Sequence, residues 1–276
     1  MPTSAPTSSS WKPLDGDPLR HLAGAPGTPE CDHDYFWALD GRSKRSVALD
    51  LKSESARPVI DALVARADVL VTNYRPAIAE RLGLDWARLK QLNPRLVYAQ
   101  ITGYGDTGPE ADRPGYDTTA WWSRSGLADH VRNPGTRPAM SAPGMGDHAT
   151  AMSLYGGIMT ALWARERTGE GRRVTTSLFA NGLWSNGMMA SMALCGAEIP
   201  QRDPEAAIAN ALAVQYETAD QRWLDRPCST RSGNGRACSP RWSWRTCPTT
   251  SASPSARVDA RTPPPCTRSC PGASSS

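Results

Sequence analysis

The run ADVLVTN (67–73) constrains the fold of this 276-residue chain more than any other stretch. It is continuously apolar at its centre and too short for a helix, so it reads as a buried parallel strand. Its neighbours agree. SVALDL (46–51) alternates like a short strand. Ser53 or Ser55 can then cap a helix in which Val59, Ile60, Leu63, Val64 and Ala67 share one face. Pro76 can open the next helix, with Ile78, Leu82 and Leu84 as its inner stripe. Trp86, Leu89 and Leu92 continue in a second helical turn, ended by Asn93-Pro94. RLVYAQIT (95–102) is a further strand, stopped by Gly103, Gly105 and Gly108-Pro109. This alternation of strand and helix predicts an α/β fold around a parallel sheet.

The flanks are read more coarsely. Residues 1–34 are rich in Pro, Gly, Ser and Asp, lack apolar periodicity and read as loop. Thr118 to Arg124 reads as a short helix and Asn133 to Gly146 as loop. Ala149 to Arg167 reads as a long helix, with Met152, Tyr155, Ile158, Met159, Leu162 and Trp163 near helical spacing, closed by Thr168-Gly169. Arg173 to Phe179 reads as a strand and Asn181 to Cys195 as a helix, and no internal repeat is visible.

From Asp225 onward the composition changes. Arg, Ser, Pro, Thr and Cys supply 38 of the last 52 residues, and Leu, Ile, Met, Phe and Tyr are missing. Such a segment cannot bury enough apolar surface to offset its chain entropy, so residues 225–276 are expected to be a disordered tail. The tail carries eight Arg against two Asp, which is more than the whole chain's net +4, so residues 1–224 are slightly acidic. The basic pI of 8.7 therefore gives no reason to expect a nucleic-acid partner. Five of the seven Cys lie in the tail without CxxC spacing or a nearby His, so no metal site is expected. The N-terminus lacks a basic start followed by an apolar run, and no apolar stretch is long enough to span a bilayer. A soluble cytoplasmic protein without a membrane partner is expected.

P-loop, zinc-protease and serine-hydrolase motifs are absent: there is no GxxxxGK[ST], HExxH or GxSxG. What remains is four loops beside strand ends or helix starts, where ligands bind in open α/β sheets. They are Asn73–Pro76, Thr102–Pro109, Arg113–Asp117 and Gly144–His148. Asp147 has two readings. A carboxylate just ahead of a helix is an ordinary N-cap. A carboxylate in a loop of glycines (Gly144, Gly146) is also accessible enough to serve as a nucleophile toward a bulky acyl group.

The motifs KRSVALDL (44–51), ADVLVTNYRPAIAERLGLDW (67–86), NPRLVYAQITGYGDTGP (93–109), RPGYD (113–117) and GDHATAMSLYGGIMTALWARERTGEGRRV (146–174) resemble the class III coenzyme A transferases. This group includes formyl-CoA transferase and the carnitine and bile-acid CoA transferases. YETADQRW (216–223) and DGDPLR (15–20) extend the resemblance over roughly residues 15–223. It implies a Rossmann-like parallel sheet with flanking helices. It also implies transfer of coenzyme A from an acyl-CoA thioester to a carboxylic acid, with the thioester as substrate and no resident cofactor or metal. Asp147 matches the family's nucleophile, which forms a mixed anhydride and then an aspartyl-CoA thioester. That role calls for an ionised carboxylate, so a low pKa is expected. Asn73, Tyr74 and Arg81 match positions that contact CoA, and Tyr116 matches a tyrosine near the active site. Racemases acting on α-methylacyl-CoA resemble the chain too, but carry His where Tyr116 stands. A phenol of pKa ~10 replaces that base poorly near neutral pH, which favours transfer.

The chain departs from the family pattern at both ends. Only 14 residues precede DGDPLR, where the family has a strand, helix and strand. Gln221 replaces the glycine of the family's Y-x-T-x-D-G-x-W element, and the tail stands where a small second domain with a glycine-rich loop is expected. The organisation expected is a loop-rich remnant (1–36), an incomplete large α/β domain (37–171), a strand and linker helix (172–224) and the tail (225–276). The tail reads as an out-of-frame translation: one back-translation of 245–254, read from its third base, encodes DLPDDERFA, close to a family small-domain segment. Family members are interlocked homodimers, and loss of the second domain would prevent that linkage. An inactive remnant is the corresponding alternative reading.

Overall fold

A computed structural model describes residues 7–22, 28–199, 215–217 and 220–225. The chain divides into two compact units, residues 1–129 with 139–198 and residues 130–138 with 199–276.

The first unit is built on a three-stranded parallel sheet, β3 (Val69–Thr72), β4 (Val97–Thr102) and β5 (Arg173–Ser177), in that order. Around it the chain runs β1 (Ser8–Lys12), a 3-10 turn (Pro18–His21), α1 (Tyr35–Asp40), β2 (Lys44–Ala48), α2 (Ala56–Arg66), α3 (Pro76–Arg81) and α4 (Trp86–Leu92). A π-helical turn (Asp117–Ser123), α5 (Leu127–His130), α6 (Met145–Thr168), α7 (Leu178–Ser185) and α8 (Gly187–Leu194) complete it. The α/β class is as expected, but the first strand is not. β2 ends at Ala48 and pairs in parallel with β1, forming a separate two-stranded sheet. Residues 8–12, read as loop, are thus a strand: SSSWK has no apolar alternation, and its order comes from backbone pairing with β2.

The main core joins Ala56, Ile60 and Val64 of α2 to Leu70, Leu84, Leu89, Leu96 and Tyr98, with Trp11, Leu49 and Leu51 packed against it. Val59, expected on the inner face of α2, is exposed. Ser55 occupies the cap position of α2, but its side chain bonds Ser53 rather than the helix. α7 and α8 are two helices where one was read. They break at Asn186, whose side-chain amide donates to the Ser125 carbonyl at 3.0 Å.

A right-handed crossover is the rule for parallel neighbours, and α6 is the helix that connects β4 to β5. Its last turn leads to Gly169 in the left-handed conformation and then into β5. The start of α6 is therefore at the carboxyl end of the sheet, together with the loops that follow β3 and β4.

In the second unit, β6 (Gln215–Glu217) pairs antiparallel with β7 (Trp223–Asp225). Gln221, in the connection, has φ 62°, a left-handed conformation that favours glycine. This accounts for the glycine in the corresponding family element. The expected disorder and the frame-shift reading of the tail concern residues that, Asp225 apart, lie outside the described ones.

Candidate active site

α6 begins four residues earlier than its apolar periodicity indicated. Gly144, at φ 73°, is the N-cap, and Met145, Gly146 and Asp147 form the first turn. Two glycines so close together lower helix propensity, which is why the sequence reads as loop up to Gly146. Here Gly146 is required by packing. A Cβ at that position would lie 2.7 Å from Trp121 Cβ and 2.8 Å from Asp117 Cβ. The first turn of α6 is thus seated directly on the π-helical turn.

This geometry removes the capping reading of Asp147. The residue is the third of the helix rather than its cap, it is exposed, and its carboxylate has no hydrogen bond or ion pair among the described residues. The expectation of a low pKa is overturned as well. Desolvation pushes the carboxyl above the usual range, the neighbouring Asp117 and Asp40 charges push it the same way, and His148 opposes them. His148 Nε2 meets Asp40 Oδ1 at 3.2 Å, so Asp40 links the end of α1 to the start of α6.

Asp117 is the residue that the sequence reading missed, although RPGYD contains it. It is 8% exposed. Its Oδ1 accepts the Thr118 N–H at 2.7 Å, while Oδ2 is buried without a hydrogen-bond partner. π-turns recur at functional sites, and an orphaned buried carboxylate oxygen is costly enough to require an explanation. Tyr116 directly precedes it. Its N–H donates to Thr119 Oγ1 at 2.9 Å, and its side chain is 72% exposed.

Asn73 and Tyr74 follow β3 at the same sheet end and are exposed. Arg81 is the last residue of α3, exposed, with no hydrogen bond or ion pair among the described residues. The fold therefore gathers Asn73, Tyr74, Tyr116 and Asp147 at the carboxyl end of the sheet and sets Arg81 a helix length away. Chemically, the cluster offers an accessible, unpaired carboxylate of raised basicity beside a buried second one, with flanking loops for a ligand.

A family model described as CoA-transferase family III matches residues 12–238. The chain is 34% identical over 216 residues to a (R)-2-hydroxy-4-methylpentanoate CoA-transferase of Clostridioides difficile, an alignment covering 77% of this chain and 53% of that protein. It is 39% identical over 179 residues to a cinnamoyl-CoA:phenyllactate CoA-transferase of Clostridium sporogenes, covering 64% and 43%. It is 33% identical over 225 residues to the beta subunit of a succinyl-CoA–L-malate CoA-transferase of Chloroflexus aurantiacus, covering 79% and 53%. The crystal structure of a CAIB/BAIF family protein from Brucella suis matches with a TM-score of 0.69 at 28% identity, over 79% of this chain and 57% of that one. The chain spans about half the length of these relatives.

Proposed function

The chain belongs to CoA-transferase family III, and from that premise we propose that it moves coenzyme A from an acyl-CoA thioester to a carboxylic acid, with Asp147 as the nucleophile. The observation that carries this reading is the Asp147 carboxylate: exposed, unpaired among the described residues and released from any capping duty.

In this reading an Asp147 oxygen attacks the thioester carbonyl. The carbon–sulfur bond breaks, leaving a mixed anhydride and CoA thiolate. The thiolate then attacks the aspartyl carbonyl, the donor acid leaves as carboxylate, and an aspartyl-CoA thioester remains. An acceptor carboxylate attacks that thioester and forms a second anhydride. CoA thiolate returns to the acceptor's carbonyl and regenerates Asp147. No net proton is consumed, so the residue needs basicity rather than a separate acid. The raised pKa supports nucleophilicity, because a more basic carboxylate is the better nucleophile once ionised. Asn73 and Tyr74 would receive CoA at the sheet end, Arg81 would pair with one of its phosphates, and Tyr116 would line the acyl site. Coenzyme A is thus substrate, with no resident cofactor. The names of the three relatives, which contain a hydroxymethylpentanoate, a phenyllactate and a malate, support a 2-hydroxy acid as acceptor.

The whole protein is proposed to work in the cytoplasm as a homodimer, without nucleic-acid or membrane partners. No helix among the described residues is long and apolar enough to cross a membrane. Along α6, Met152, Tyr155, Met159 and Trp163 form an exposed stripe that a second chain would cover. A monomeric mass by light scattering would end the dimer proposal.

The deciding experiment incubates the purified chain with a 2-hydroxyacyl-CoA radiolabelled in its coenzyme A moiety and quenches it in acid, which preserves an aspartyl-CoA thioester. A covalent label that disappears in Asp147→Ala supports the reading. A folded protein that takes no label from any of several acyl-CoAs is an inactive remnant. Exchange of the α-hydrogen with solvent without labelling would favour racemase chemistry instead.

A further inference from the structure

Gln100 lies on β4, the middle strand of the parallel sheet, and is 1% exposed. Val97, Tyr98 and Ala99 before it are packed in the interior, so an apolar residue would satisfy the core at this position. A primary amide there is costly unless both of its ends are bonded. Both are. Nε2 donates to the Tyr74 carbonyl at 2.8 Å, and Oε1 accepts from Arg173 Nη2 at 2.9 Å. Only this orientation of the amide satisfies both partners, since a guanidinium cannot accept and a carbonyl cannot donate.

The network reaches two loops. The Arg173 guanidinium also meets Asp106 Oδ2 at 2.9 Å, in the loop after β4. Tyr74 is held from its other side too, where its N–H donates to Thr72 Oγ1 at 3.1 Å. The following turn is tied down by Asp112, whose Oδ1 accepts the Ala77 N–H at 3.0 Å and whose carbonyl accepts the Arg75 guanidinium. Among these ties, Gln100 alone joins the Tyr74 backbone to the Arg173–Asp106 pair.

We propose that Gln100 is a positioning residue that holds the Asn73–Tyr74 loop in its ligand-receiving shape and couples it, through Arg173, to the loop bearing Asp106. The functional part of this inference rests on the reading of Asn73 and Tyr74 as coenzyme A contacts. A pre-formed loop pays less ordering entropy when a flexible ligand binds.

Two variants of the whole chain test it. Gln100→Leu removes both bonds. Gln100→Glu keeps an acceptor for Arg173 but sets an oxygen against the Tyr74 carbonyl. The readouts are calorimetric affinity for coenzyme A, KM and kcat with an acyl-CoA, amide hydrogen exchange at Tyr74 and Arg75, and the urea midpoint. Both variants are expected to bind coenzyme A about tenfold more weakly, the effect of one lost buried hydrogen bond, with KM raised and kcat little changed. Exchange at Tyr74 and Arg75 should accelerate in both by more than exchange at Val97–Ala99, and the urea midpoint should fall in both. Native affinity and native exchange in Gln100→Glu would overturn the proposal. If Gln100→Leu does not fold, Gln100→Glu carries the test alone. If the wild-type chain itself takes up no coenzyme A, the coenzyme reading fails separately, and the exchange result still decides whether Gln100 holds the loop.

Discussion

The two ends of the parallel sheet treat charge in opposite ways. At the amino end, Arg165 of α6 is 7% exposed and is paired: it donates to the Asp68 carboxylate at 2.9 Å and to the carbonyls of Asp68 and Arg95 at 3.4 and 3.1 Å. Its remaining Nε lies 3.9 Å from Glu166 and is buried without a hydrogen bond. At the carboxyl end, the same helix begins among three carboxylates, Asp147, Asp117 and Asp40, with one buried oxygen of Asp117 left without a partner. One end spends its charge on holding α6 to the strands that start at residues 69 and 97. The other gathers like charges that weaken the fold and raise the basicity of one accessible side chain. Strained electrostatics of the second kind mark functional sites.

Arg165→Ala should break the paired end. It strands the Arg95 carbonyl, while the Asp68 carbonyl keeps the Val97 N–H, and is expected to cost about 1–3 kcal/mol, read as a lower urea midpoint with the Asp147 label still forming. Label lost in proportion to stability would show that the two ends are not separable. Gly146→Ala acts at the other end, forcing a methyl between Trp121 and Asp117. Overpacking of this kind costs about 1–3 kcal/mol, and the label should vanish because the first turn of α6 is displaced. Unchanged labelling would mean that the seating of that turn does not matter.

Asp147→Asn reverses the expected sign of a mutation. A carboxyl whose folded pKa is raised binds its proton more tightly in the native state, so stability falls as pH rises from the unfolded pKa through the folded one. The amide should therefore be the more stable protein near neutral pH, by less than ~1 kcal/mol given solvent screening of an exposed group. The gain should fade below the ordinary carboxylate range, as thermal unfolding against pH would show. The finest test is Asp117→Asn. The acid limb of labelling reports ionisation of Asp147, and removing a neighbouring negative charge should move it to lower pH. A limb that stays put would mean that the Asp117 charge does not raise Asp147.

How much of this was readable in advance depended on where the signal resided. β3 and β4 were legible because Leu70 and Val97–Ala99 are packed into the interior and write themselves as unbroken apolar runs. β1 was not, since SSSWK is ordered by pairing with β2 rather than by burial. On α6 the apolar spacing was correct as periodicity but silent about what covers it, and Met152 and Trp163 are exposed. Asp147 was found through its motif, yet its place in the helix was misjudged, because the value of Gly146 lies in a contact with Trp121 some 25 positions away. Asp117 and Asp40 could not be recognised as its neighbours from spacing at all. Their influence is electrostatic and exists only once α1, the π-turn and α6 are assembled.

Positions 40, 117 and 147 come from three separate stretches of the chain, and none of those stretches brings the trio together by itself. The proton affinity of residue 147 is consequently a gauge of assembly. In a peptide excised around α6, or in a molecule nicked between the first two positions and allowed to part, that affinity would relax to the value of a free aspartate. A chemist following the carboxyl signal of this one side chain would thereby be watching the tertiary structure form and come undone.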